Sequence, residues 1–178
     1  MYRSVPIIAV LSILAPIAAA QRDSTISPDG LGGIRICQPL AAVASRFPSA
    51  HDTVIESEGQ AWPAKYVRLR DGGILFEASW ADTSHVWRIS TDSPRYRTHR
   101  GWRPGNTLAQ LRGKGEQLEF GYEEGYIVIT LVSDHVSFTP DDSTAKVFLG
   151  RSPRAFDSLP ALPQTARIQD LIVGGDCR

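Results

Sequence analysis

Four histidines, His51, His85, His99 and His135, are the side chains best suited to ligate a metal or move a proton near neutral pH. They are scattered, with no His-x-x-x-His or His-Glu-x-x-His spacing, so a zinc site would have to be assembled entirely by tertiary proximity. His51-Asp52 and Asp134-His135 are sequence neighbours, which on a strand point to opposite faces and make no acid-base dyad. Ser84-His85 and Ser133-Asp134-His135 set a hydroxyl beside an imidazole. The chain has no Gly-x-Ser-x-Gly elbow to expose such a nucleophile or build an oxyanion site around it. Glu123-Glu124 is expected at a hairpin tip as a solvated charge pair, in preference to a paired-carboxylate glycosidase centre. Gly32-Gly33, Gly72-Gly73 and Gly174-Gly175 are turn glycines, and none opens a phosphate loop. These patterns predict surface or loop histidines, no metal, no cofactor and no catalytic residue.

The segment with positive chemical promise is Arg95, Tyr96, Arg97, His99, Arg100, Trp102 and Arg103. Arginine, tyrosine and tryptophan dominate interface hot spots, and a guanidinium fork suits carboxylate or phosphate oxygens. Arg95, Tyr96, Arg97, Arg100, Trp102 and Arg103 are therefore the candidate binding residues, for a protein or an anionic envelope component. The alternative is that Tyr96 and Trp102 pack in the core while the arginines form a solvated linker. Trp62, Tyr66, Trp80 and Trp87 suggest a second surface on a sheet face, unless a helix covers them.

The compartment is legible at the start of the chain. Arg3 precedes an apolar run from Val5 to Ile17, and Ala18-Ala19-Ala20 supplies a small-residue cleavage pattern before Gln21. Residues 1–20 read as a signal peptide; the run is short of the ~20 residues a membrane span needs. The expected product is periplasmic or extracellular, with no integral membrane segment after signal removal. Cys37 and Cys177 are the only cysteines, and an exported pair of this kind forms a disulfide; two buried thiols or one reactive thiol are the alternatives. Lysine plus arginine balance aspartate plus glutamate at 19 each, which argues against a nucleic-acid partner.

These residues must be positioned by elements the pattern also suggests. Gln21 to Gly32 is polar and reads as a flexible leader with a Ser27-Pro28-Asp29-Gly30 turn. Leu40, Val43, Ala44 and Phe47 share one helix face, with Pro39 at the first helical position and Pro48 as terminator. Thr53 to Ser57, Lys65 to Arg70, Gly73 to Trp80 and His85 to Ser90 follow as strands, the middle two joined by a type I′ turn at Asp71-Gly72. Asn106 is the expected N-cap of a short second helix carrying Leu108 and Leu111. Gln117 to Tyr122, Tyr126 to Val132 and Val136 to Thr139 form a second meander, the middle run buried on both faces. Ala145 to Leu149 is a further strand candidate, Arg151 to Pro163 is irregular, and Arg167 to Val173 is extended.

One frame occurs twice. Gly33-Ile34-Arg35-Ile36-Cys37-Gln38-Pro39-Leu40-Ala41-Ala42-Val43 returns 68 positions later as Gly101-Trp102-Arg103-Pro104-Gly105-Asn106-Thr107-Leu108-Ala109-Gln110-Leu111. The frame followed by a meander resembles the helix-plus-sheet repeat of the beta-lactamase inhibitory protein family and of small outer-membrane assembly lipoproteins. It is also similar to exported bacterial proteins with a Ser-Pro-Asp-Gly leader. Cys37 stands where the frame has a turn glycine, and no lipid-bearing cysteine follows the apolar run. The expected fold is α+β: a leader over residues 21–32, two tandem repeats of short helix plus antiparallel meander over 33–98 and 99–150, and a Pro-rich tail over 151–178 pinned by the disulfide. The expected role is a non-catalytic, exported binding or inhibitor-like protein. A hydrolase of unrecognised family and a structural envelope protein are the alternatives.

Overall fold

The computed structural model describes residues 24–57, 59–123, 126–141, 163–175 and 177. The signal peptide, the 145–149 strand and the Pro-rich stretch to residue 162 lie outside them, as do Glu124 and Gly125 of the proposed acidic tip.

The described chain is mostly β, which corrects the α+β expectation. A three-stranded sheet holds β1 (Ile26–Ser27), β2 (Gly30–Leu31) and β3 (Ile34–Arg35). An eight-stranded sheet holds β4 (His51–Ser57), β5 (Gln60–Leu69), β6 (Gly72–Glu77), β7 (Arg88–Thr91), β8 (Leu118–Glu123), β9 (Tyr126–Leu131), β10 (Val136–Pro140) and β11 (Ile168–Gly174). Its order is β4-β5-β6-β7-β11-β10-β9-β8, antiparallel throughout. The two helices are single short pieces, α1 (Ala42–Arg46) and α2 (Leu108–Gly113). Strands β4 to β11 thus form one continuous sheet and not a tandem of helix-plus-meander units.

Register explains why the layer is stable. Opposed residues share a face, and Val67 faces Ile74, Phe76 faces Ile89, Thr91 faces Leu171, and Phe138 faces both Leu171 and Ile129. All seven apolar members of that set are buried, giving one stripe across the sheet. Each such side chain contributes about 2 kcal/mol on burial. Ile26, Leu31, Ile34, Leu40, Val43, Leu108 and Leu111 complete the same core, and the Phe47 and Phe76 rings lie 5.5 Å apart. The small sheet and both helices therefore cover this face. On the other face Tyr66, Leu75, Ser90, Ile172, Ser137 and Thr130 follow one another across the sheet, all half-buried.

Several local expectations are corrected by the same packing. The leader from residue 24 onward is ordered, because Ile26 and Leu31 bury into the core and Ser27 pairs with Gly30 around the Pro28-Asp29 turn. The hairpin between β5 and β6 turns at Arg70-Asp71, with Leu69 opposite Gly72, so it is one residue earlier than expected. Neither central residue has positive φ, so it is not a type I′ turn. Helix α1 starts after Ala41 with no side-chain cap, and Ala44 is exposed. Helix α2 is capped by Thr107, not Asn106: the Thr107 hydroxyl accepts from Gln110 N, and Gln110 Oε1 accepts from Thr107 N. The β9 run is buried on both faces as its composition suggests, with Ile127, Val128, Ile129 and Leu131 all in the interior.

What the 68-residue match marks is a local brace. Leu40 N donates to Ser84 O, Cys37 N to Val86 O, and Val86 N to Gln38 O. At the second copy, Leu108 N donates to Ala166 O, Gly105 N to Ile168 O, and Ile168 N to Asn106 O. Each turn thereby holds the segment that leads into one of the two central strands, β7 and β11. The turn residue is left-handed in both, Gly105 at φ 93° and Cys37 at φ 67°. Cys37 is bonded to Cys177 with Cα atoms 5.2 Å apart, which ties the first brace to the chain just beyond β11. Among the described residues no helix is long and apolar enough to cross a membrane.

Asp170 on β11 carries a testable electrostatic signature. Burial raises its pKa above the ordinary 3.8, the Asp92 charge adds to that, and donors from Thr139 N and Oγ1 partly offset it. A raised folded-state value means stability that is full below the unfolded value and lost as pH rises through the folded one. Asp170→Asn keeps an acceptor for Thr139 and removes the charge, so it should raise the thermal midpoint near neutral pH and leave it unchanged below pH 3.8. Melting curves at the two pH values check this; an equal shift at both would contradict the assignment.

Candidate functional site

The histidines stay apart. His51, His99 and His135 are exposed, and His85 is half-buried. Among the described residues no three His, Cys, Asp or Glu side chains converge on a metal-sized space. His85 does meet a carboxylate and a hydroxyl, but both through one ring nitrogen: Nδ1 lies 2.8 Å from Asp82 Oδ2 and 3.1 Å from Ser84 Oγ. Ser84 Oγ and Ser84 N both donate to Asp82 Oδ1. These Ser84 bonds, with His85 beside them, hold the exposed Asp82 carboxyl at a pKa of about 2. A nucleophilic relay needs the two imidazole nitrogens to serve different partners and the hydroxyl to give its proton to the ring. Here the hydroxyl donates to the aspartate, within a turn closed by Ser79 N and Asp82 O. The arrangement is a loop staple.

The aromatic face of the first meander is likewise dispersed. Trp62 is buried, Tyr66 and Trp87 are half-buried, and Trp80 alone stands out at 70% exposed. Arg88 covers the Trp87 ring at 5.2 Å and forks onto buried Glu77 with bonds of 3.0 and 2.8 Å.

The Arg/aromatic segment is partly gathered and partly divided. Tyr96 and Trp102 are buried at 5% and 4% exposed, so they belong to the core. Arg95 is exposed but outside the cleft. Arg97, Arg100 and Arg103 are exposed and line a cleft of about 350 Å³, joined by Trp102, Asn106, Gln110 and Lys114. A tight loop places them: Gly101 N donates to Thr98 O, Thr98 N to Trp102 O, and Gly101 takes φ 89°, which suits glycine alone without strain.

Beneath the cleft lies a carboxylate the sequence reading did not single out. Glu116 is buried and accepts from Trp102 Nε1 at 2.9 Å and Ser133 Oγ at 2.7 Å, while Arg100 Nε stands 2.7 Å from its Oε1. Lys114 Nζ sits over the Trp102 ring at 5.3 Å. Among the described residues no carboxylate pairs with Arg97, Arg103 or Lys114. Four cations thus line the cleft, and Glu116 beneath it neutralises one of them, Arg100, so among the described residues the balance at the opening is positive. Lys114 and Glu116 come from the turn after α2, where Lys114 N and Glu116 N both bond Leu111 O. The Gly113 and Gly115 pair in the sequence marks that turn, but not which side chains it brings back to Trp102.

No protein-family model matches the chain, and no curated protein matches it. Among solved structures it is similar to the crystal structure of the uncharacterized protein yfeY from Escherichia coli, at TM-score 0.61 and 13% identity. The match covers 85% of this chain and 99% of that one. At that identity the likeness concerns the fold alone.

Proposed function

We propose that the chain is an exported, non-catalytic binding protein, inhibitor-like in character, that docks on an acidic face of a protein partner through the cleft of Arg97, Arg100, Arg103 and Lys114. The observation that carries this reading is the convergence of those four cations around Trp102, with Glu116 as their single counter-charge among the described residues. Arginine beside a fixed aromatic platform is the composition of an interface centre, and unpaired cations at its mouth favour encounter with an acidic surface. Export is supported by the Arg3 to Ala20 pattern and by the Cys37–Cys177 bridge, since disulfides persist in oxidising compartments.

The test is affinity capture from the exported protein fraction of the producing cell. Wild type and the Arg97→Ala/Arg100→Ala/Arg103→Ala variant are compared side by side. Partners held through the cleft should be lost from the variant; recovery of every captured protein by both would refute the reading.

A further inference from the structure

The chemistry of the cleft lining specifies what it recognises. Its side-chain polar atoms are mostly donors. Thr107 N and Arg103 N can only donate, so the amide atoms facing them are Gln110 Oε1 and Asn106 Oδ1, at 2.9 Å each. Asn106 Nδ2 then donates to the same Gln110 oxygen at 3.2 Å. That leaves Gln110 Nε2 for the cleft, beside the guanidinium groups of Arg97 and Arg103 and the ammonium of Lys114. Arg100 commits its Nε side to Glu116 and retains its two terminal nitrogens. Those terminal nitrogens form an end-on fork that matches two oxygens of one oxyanion.

We propose that the cleft reads two neighbouring carboxylates on an exposed segment of the partner. This rests on the reading that the cleft is the docking surface, and adds the ligand class. Cationic donors reward an oxyanion over a neutral hydroxyl, because hydrogen bonds between ionised groups are the stronger ones, and they repel an ammonium. Arg97, Arg103 and Lys114, which have no carboxylate partner among the described residues, accommodate paired carboxylates with net attraction remaining. Glu116 acts as a positioning residue: it holds Arg100 through one side of its guanidinium and Trp102 through the indole N–H, so both are set before any ligand arrives.

The experiment is a titration of the ¹⁵N-labelled mature chain at low salt with two probes, a tetraglutamate peptide and inorganic phosphate. The readouts are the side-chain N–H resonances of Arg97, Arg100, Arg103, Gln110 and Trp102. Binding by either probe should move these resonances together and weaken about tenfold in Arg97→Ala/Arg103→Ala, two exposed charge contacts having been removed. A response to tetraglutamate is the expected result, and a response to phosphate alone overturns the assignment to paired carboxylates. No movement with either probe, or equal movement in the variant, overturns the proposal. If neither probe binds while the triple-alanine variant still loses its captured partners, the ligand class fails and the docking surface stands. If probes bind at the cleft while captured partners are unchanged, the docking reading fails and the ligand class stands.

Discussion

Replacing both Cys37 and Cys177 with alanine should lower the thermal midpoint by on the order of 10 °C, equivalent to about 4 kcal/mol. The bridge spans 140 residues, so it removes much of the freedom of the unfolded chain. In the folded chain it joins the brace that holds residues 84–86 to the chain beyond β11. Gly175 N already bonds Trp87 O at 3.1 Å in that region. Thermal melts of oxidised, reduced and doubly substituted protein measure the effect, and a midpoint insensitive to reduction would contradict it. A second comparison isolates the backbone. Cys37 sits at φ 67°, where its counterpart in the matched frame is Gly105 at φ 93°. In a Cys177→Ala background, Cys37→Gly should therefore exceed Cys37→Ala in stability by about 1 kcal/mol.

Glu116→Ala should cost about 3 kcal/mol, because it strands a buried indole N–H, removes the acceptor of the Ser133 hydroxyl and takes away the partner of Arg100. Glu116→Gln retains an acceptor for Trp102 and should cost markedly less. The two variants separate loss of the hydrogen bond from loss of the charge. Denaturant unfolding followed by Trp fluorescence gives the stabilities, and the Trp102 indole resonance reports whether its bond survives. Equal stability of both variants and wild type would mean that Glu116 does not organise the floor of the cleft.

The strand content was legible where alternation met turn chemistry. The expected strands Tyr126 to Val132 and Arg167 to Val173 each match an observed strand to within one residue at either end, and Lys65 to Arg70 covers the second half of β5 and the turn residue after it, because their β-branched and aromatic side chains pack on a pleated surface. Fold class was not legible. Leu40, Val43, Ala44 and Phe47 have helical spacing, yet the helix is only Ala42–Arg46, since the brace onto Ser84 fixes Leu40 outside it. The identity of the partner strands for β7 and β11 depends on non-local pairing that no local pattern encodes. The leader was misread because Ile26 and Leu31 are isolated among polar residues and acquire a core only from distant strands.

The candidate site was half legible. Residue type alone pointed to Arg95, Arg97, Arg100 and Arg103, of which Arg95 falls outside the cleft, and to Tyr96 and Trp102, for which the core was the alternative and where both are found. Glu116, Lys114 and Gln110 were missed because each is ordinary in sequence. They become functional candidates only through the fold of α2 and its turn, which returns a carboxylate under Trp102 and an ammonium over it. Ser84 and His85, adjacent in sequence, are both engaged by Asp82.

Charge reversal against a matched control tests the cleft most directly. Arg97→Glu/Arg103→Glu and Arg68→Glu/Arg70→Glu make the same change in net charge at exposed arginines, the first pair within the cleft and the second on and just after β5. Captured partners should be lost with the first pair and retained with the second. Loss with both, or with neither, would contradict the assignment of the cleft as the place where this chain meets its partner.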